Sequence, residues 1–282
     1  NRPGTGYNVG ILEQFVWFGR QVDMNALKNF KNEDGTEFNW NYNYHNNPYW
    51  IQYENPQKDQ RDRVIATGEA QYAFTDWLNV TARSGVDQYR FGIDANYAKG
   101  NLNFGDLSYN GSFGLVRDTY NEVNTDAILN ASHNIGSKLW VSGMVGGSQR
   151  ALHRSSEGVG VNGLSVQGIY NVSNAAVTPQ VTQSANRSRI NALYASGSFT
   201  WNGWWTVEGT ARNDWSSTLP KGENSYFYPS LNTSIIVTDA LPFTKSSVLN
   251  YAKIRGAVAR VGADANPYAL ATTYTGSSAG FG

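Results

Sequence analysis

Between Asp62 and Phe91 the sequence alternates apolar and polar residues on both sides of a short polar turn, and no other stretch limits the fold so tightly. Val64, Ala66, Gly68, Ala70, Tyr72 and Phe74 fall on one face, and Arg63, Thr67, Glu69 and Gln71 on the other, with Ile65 and Ala73 as exceptions. After Thr75-Asp76-Trp77 the pattern resumes, Leu78, Val80, Ala82 and Val86 opposing Asn79, Thr81, Arg83 and Asp87. A period of two predicts a β-hairpin with one face in an apolar medium. Its strands exceed the roughly five or six residues of ordinary globular strands and meet the roughly nine to eleven that a tilted strand needs to cross a bilayer. The apolar face carries small residues and Val rather than the dense Leu, Ile and Phe of a packed core. Lipid asks only for hydrophobicity.

Composition narrows the class. Charged residues are 16%, aromatics 13%, with 29 Gly, 17 Tyr and 9 Trp, and the mean hydropathy is -0.48. Such a chain is polar through uncharged residues, as a β-rich surface protein is. A formal net charge of +0 argues against a polyanion-binding groove, so nucleic acid is not an expected partner. The absence of cysteine rules out disulfides, thiolate metal sites and a Cys nucleophile. No apolar run approaches the roughly 20 residues of a membrane-spanning helix, whereas a β-barrel remains allowed because its strands alternate. Neither the opening Asn1-Arg2-Pro3-Gly4 nor the closing Ser277-Ser278-Ala279-Gly280-Phe281-Gly282 reads as an end of an exported protein, so an internal piece of a longer chain is expected.

Taken in order, Ile11, Phe15, Phe18 and Val22 have helical spacing, and Asp23 is placed to cap a second short helix carrying Leu27 and Phe30. Asn32 to Asn55 is rich in Asn, Tyr and Trp and shows no sustained core pattern. Gly92 to Asp118 reads as a Gly- and Asn-rich connection, and alternation returns through Val123, Thr125, Ala127, Leu129 and Ala131. Gly136-Ser137 marks a turn, and Leu139, Val141, Gly143 and Val145 carry the return strand. A long polar connection is expected from Gly147 to Arg187. A third hairpin pivots on Asn202-Gly203, the strongest short hairpin signal, and two further strands are centred on Leu231 to Val237 and on Tyr251 to Val261.

The expected fold class is therefore all-β, an antiparallel transmembrane β-barrel segment of about eight strands in four hairpins, with short turns at one end and long extracellular loops at the other. Trp77, Trp140, Trp204, Trp205 and Tyr251 sit beside the short turns, as an interfacial girdle requires. Residues 1–61 are expected to form a loop-rich extracellular segment with short helices, 62–262 the strands, and 263–282 the start of a further loop.

Asn47-Pro48-Tyr49-Trp50, Glu54-Asn55, Asp62-Arg63, Thr75-Asp76-Trp77-Leu78 and Gly85-Val86-Asp87 resemble the early barrel of SusC-like TonB-dependent transporters, the SusC/RagA family. Arg212-Asn213-Asp214 with Ser216-Ser217, Tyr228-Pro229-Ser230, Lys253-Ile254-Arg255 and Val261-Gly262 follow in the family's order across about three quarters of the chain. The family's N-terminal domain, plug and final strands have no counterpart here. The resemblance implies a larger barrel of about 22 strands, and localisation in the bacterial outer membrane, in contact with its lipid. It implies capture of an oligosaccharide or peptide cargo under a SusD-like lipoprotein lid, energised by the TonB complex through the plug, with transporter-lid pairs able to dimerise. On that reading Trp17, Trp40, Tyr42, Tyr44 and Trp50 are the candidate cargo contacts, because aromatic faces beside amide side chains suit sugar rings and peptide backbones.

Other chemistry finds little support. His45, His133 and His153 lie far apart without metal-ligand spacing, and neither metal nor cofactor is assigned. Glu69, Asp87, Glu208 and Asp214 occupy alternating strand positions, where a wetted lumen accounts for them better than glycosidase chemistry. Ser216-Ser217 lacks a nucleophile elbow, and Gly143 to Gly147 lacks the Lys-Ser/Thr ending of a phosphate loop. The reading is thus a non-enzymatic importer segment. The alternatives are a secreted all-β carbohydrate-binding module and, last, a β-rich glycoside hydrolase.

Overall fold

The computed structural model describes residues 10–101, 110–244 and 246–270. Eight antiparallel strands form one sheet in chain order: β1 (Gln57–Thr75), β2 (Leu78–Lys99), β3 (Asn110–Ile135), β4 (Leu139–Asn162), β5 (Gln180–Trp201), β6 (Trp205–Ser216), β7 (Ser225–Ile236) and β8 (Lys253–Ala259). Three short helices accompany them, α1 (Ile11–Trp17), α2 (Pro48–Glu54) and α3 (Val237–Ala240). No helix among the described residues is long and apolar enough to cross a membrane, which says nothing of crossing by strands. The expected opening Asn1 to Gly4 and closing Ser277 to Gly282 lie outside the described residues, as does the end of the further loop expected over 263–282.

Three hairpin turns fall where the sequence places them, whereas the fourth connection, between β7 and β8, holds α3 in place of the short turn expected beside Tyr251. At the third, the Trp204 N–H donates to the Trp201 carbonyl at 3.1 Å. Asn202 and Gly203 adopt φ of 46° and 74°. Two positive φ values are the signature of a type I′ turn, whose twist matches that of the strands it joins. The register Trp201↔Trp205, Gly197↔Gly209 and Asn191↔Trp215 then places every odd residue of β5 beside an odd residue of β6.

Two expected connections are strand instead. β2 runs on to Lys99 and β3 begins at Asn110, so most of Gly92 to Asp118 belongs to the ladder, while 102–109 lie outside the described residues. β4 likewise continues to Asn162 and β5 begins at Gln180, shortening the expected connection from Gly147 to Arg187. Gly and polar residues fill these extensions, and backbone pairing carries them where hydrophobic alternation fades.

The chain divides into two compact units. The first comprises Asn1–Arg63, Gln88–Tyr120 and Arg154–Ala185, and the second Val64–Asp87, Asn121–His153 and Asn186–Gly282. In the second unit the two sheet faces differ chemically. One carries Val64, Tyr72 and Phe74 of β1, Leu129 of β3, Leu193 and Phe199 of β5, and Leu231 of β7, all exposed. The other is bonded side chain to side chain, by Arg83 to Asp126 and Arg150 to Glu122 at 2.8 Å each, Arg212 to Asp214 at 2.6 Å, and Asn79 to Asn130 and Gln71 at 3.2 Å. Apolar groups meet the surroundings here, and polar groups meet one another.

The first unit has a different interior. Around α2, Trp50 and Ile51 are 0% exposed, beside the equally buried Asn46 and Asn47 and the nearly buried Glu37 and Asn39. Asn32 to Asn55, which shows no sustained core pattern in its sequence, nonetheless contributes a buried interior, because asparagine side chains do much of the work that apolar periodicity does elsewhere. Asn47 caps α2 by accepting from the Tyr49 N–H at 2.9 Å, and its amide donates to the Leu27 and Phe38 carbonyls at 2.8 Å each. Asn174 closes its loop in the same way, donating to the Val166 and Ile169 carbonyls. A short apolar cluster of Phe113, Val161 and Leu164 completes the unit.

Candidate functional site

Four of the five aromatics singled out from the sequence lie on α1 or in the loop that leads to α2. Asn39 and Asn41 shape that loop. The Asn39 carboxamide oxygen accepts from the Trp40 N–H at 2.8 Å, and its amide donates to the Asn41 and His45 carbonyls. The Asn41 oxygen accepts from the N–H groups of Asn43 and Tyr44 at 2.9 and 3.2 Å. Such Asx turns bring a polar loop to a fixed shape without a hydrophobic core beneath it.

The loop brings Trp17 and Trp40 together through an intermediary. His45 stacks on Trp40 with ring centroids 5.1 Å apart and planes 9° apart, and on Trp17 at 5.3 Å and 29°. Phe18 meets Trp40 edge to face at 4.7 Å, and Phe15 meets Phe18 at 5.3 Å. Trp17 remains 53% exposed, Tyr42 46% and Tyr44 55%. The Tyr42 hydroxyl oxygen accepts from the Asn39 N–H at 3.0 Å. Trp50 stands apart from the other four. It is fully buried in α2, edge-on to Phe30 at 6.5 Å, and packs the unit rather than presenting a ring to a ligand.

Sequence reasoning missed His45 and Phe18, which complete the stack. The spacing Asn39-x-Asn41 was the available signal, since the Asx turn at Asn41 and the Asn39 amide bonds to the Asn41 and His45 carbonyls fold a short loop back and bring its aromatics to one place. Burial sets the electrostatics beneath. The Glu37 carboxyl is pushed well above its ordinary range by burial, against the weaker pull of the Asn47 N–H that donates to it. Burial also pushes the His45 imidazole down. Both groups therefore favour their neutral forms, leaving a stack of uncharged rings that offers faces and amide hydrogen bonds rather than charge. Arrangements of this kind bind by apolar contact and hydrogen bonding and contain no nucleophile poised beside a base.

No model of a known protein family matches the chain, and no curated protein sequence matches it. Solved structures do. The RagAB peptide transporter superposes with a TM-score of 0.67 at 13% identity, over 80% of this chain and 26% of that one. The closed-closed state of the RagAB peptide importer gives 0.66 at 13% identity over 76% and 24%, and the open-open state 0.65 at 13% over 79% and 24%. The structural likeness and the sequence motifs point to the same architecture. The chain has the all-β, antiparallel fold of a portion of these transporter structures, and spans about a quarter of their length.

Proposed function

We propose that the chain is part of a TonB-dependent importer of the bacterial outer membrane that captures oligosaccharide or peptide with a SusD-like lipoprotein and translocates it without chemistry. The observation that carries this reading is the division of the second unit's sheet into an exposed apolar face and a hydrogen-bonded polar face. A soluble sheet buries its apolar face, whereas a barrel wall turns that face to lipid and its polar face to the lumen. Strands of 22, 26, 24 and 22 residues in β2 to β5 exceed the bilayer requirement and suit a wall that continues into a cargo-binding rim. On this reading residues 62–262 hold the wall, 1–61 and the long loops face cargo and lid, and the TonB complex acts through a plug contributed by the rest of the protein.

Within the rim, Trp17, Trp40, Tyr42 and Tyr44 are the proposed cargo contacts, with Trp17 the most accessible ring of the stack. Trp17→Ala is expected to weaken cargo binding by roughly fivefold, in keeping with about 1 kcal/mol for an aromatic contact, in titrations of the purified full-length protein. The membrane reading itself is tested by the intact mass of the polypeptide recovered from outer-membrane fractions, with and without detergent. A detergent-dependent species several times the 31.1 kDa of this chain supports it. A monodisperse, detergent-free species of 31.1 kDa overturns it and favours a secreted carbohydrate-binding module.

A further inference from the structure

Charge is distributed unevenly over the second unit's sheet. The strand carboxylates there, Glu69, Asp87, Glu122, Asp126, Glu208 and Asp214, all share the polar face, as alternation and their cross-strand partners show. Among the arginines within this unit's strands, Arg187 and Arg189 of β5 are the exceptions. They follow the odd series of Asn191, Leu193 and Phe199, which is the apolar face, and Gln149 of β4 meets Asn191 on that face at 2.9 Å. Neither arginine has an ion-pair partner among the described residues, whereas Arg83, Arg150 and Arg212 on the other face each have one. The Arg187 Nε–H donates to His153 Nδ1 at 3.1 Å, which leaves the imidazole Nε2 as a donor. The Arg189 backbone is pinned to Ser217 at 2.8 Å, while its guanidinium stays exposed. Together with Asn121, Val123 and Ala151 these groups line a cleft of about 390 Å³.

The height of this cleft is telling. Trp201 and Trp205 pair at the turn end of the β5–β6 hairpin. At about 3.4 Å per residue and a tilt of about 40°, the stretch from Trp201 to Arg189 climbs roughly 30 Å along the membrane normal, a little more than the roughly 25 Å apolar band of an outer-membrane barrel. Trp215, paired with Asn191 and partly exposed, sits one step below Arg189 and marks the upper aromatic belt. Two unneutralised guanidinium groups and an imidazole donor therefore stand just above the apolar band, on the side that faces lipid.

We propose that this cleft binds the phosphate of an anionic membrane lipid, whose headgroup carries no cation of its own to neutralise it, with Arg187 and Arg189 as its forks and the acyl chains lying along Val123, Leu193 and Phe199 below. Guanidinium groups match phosphate oxygens in bidentate geometry. The proposal rests on the membrane reading above. A free phosphate has the same head chemistry and lacks the chains, so the test separates the two.

The experiment is native mass spectrometry of the full-length protein in detergent, titrated in separate arms with phosphatidylglycerol, phosphatidylcholine and inorganic phosphate. The variants are Arg187→Gln/Arg189→Gln, and Arg255→Gln as a single charge loss on the polar face. Phosphatidylglycerol adducts are expected to exceed phosphatidylcholine adducts about tenfold, to lose that preference in the double variant, to keep it in the Arg255 variant, and to resist millimolar phosphate. A preference that survives the double substitution overturns the proposal, as does inorganic phosphate that binds as well as the lipid. Failure of the membrane reading shows differently, as a chain that stays soluble and monodisperse without detergent.

Discussion

Asn47 shows how much one polar residue can hold. Fully buried, it caps α2 and ties down two distant carbonyls. Its replacement by Ala removes a cap worth about 1 kcal/mol and strands buried polar groups at about 1–3 kcal/mol each. Asn47→Ala should therefore cost roughly 3 kcal/mol locally, read as faster amide exchange across α2 with the β5–β6 ladder unchanged. Glu37 gives a pH signature beside it. Because burial raises its folded pKa, the folded chain keeps a proton that the unfolded chain releases near its ordinary value of about 4.3. That contribution to the first unit's stability is whole below the ordinary value and is lost as pH rises through the folded one. His45 runs the other way, its contribution present above about 6.5 and lost as pH falls through its lowered folded value. Glu37→Gln, which retains the acceptor for the Asn47 N–H, should abolish the alkaline loss in thermal unfolding followed by tryptophan fluorescence. Glu37 did not announce itself in the sequence, since an acid in a polar loop carries no period.

At the level of elements, legibility followed backbone chemistry. The pair Asn202-Gly203 specified a turn because only residues tolerant of positive φ fit there, and the structure has φ of 46° and 74°. Gly203→Val should consequently cost about 1–2 kcal/mol and lower the yield of heat-modifiable folded protein on refolding into detergent, with Ser137→Val in the preceding turn region as a milder comparison. Helix α2 was legible in principle, Asn47 as cap and Pro48 in the first turn being a standard start, and it was passed over because the helix is only 7 residues long, too short to show a helical period. The outer reaches of β2, β3 and β4 were missed for the opposite reason. There the ladder's hydrogen bonds hold Gly- and Ser-rich sequence in extended form, and side-chain alternation is no longer needed to choose a face. Of the candidate site, the aromatics on α1 and the 39–45 loop were readable from composition. Their organisation around His45 was not, because stacking depends on Asx turns whose effect appears only once the chain folds back.

For the whole molecule, the chemical difference between the sheet's faces governs what the chain tolerates. Leu231 of β7 lies on the apolar face and its neighbour Ser230 on the polar one, where it pairs with Thr210. In a bilayer Leu231→Arg should destabilise by about 2–4 kcal/mol and Ser230→Arg by distinctly less, measured by urea unfolding from lipid vesicles. Equal effects would mean that both faces see the same medium and would remove the basis for the membrane reading. The order of the strands has a consequence of another kind. Each strand bonds only to its neighbours along the chain, from β1 through β8. The smallest change in length that leaves every remaining strand running in its original direction is therefore one hairpin. Lineages of such sheets can widen or narrow by duplicating or deleting strands in twos, whereas loss of a single strand reverses everything that follows it, carrying each later loop to the opposite end.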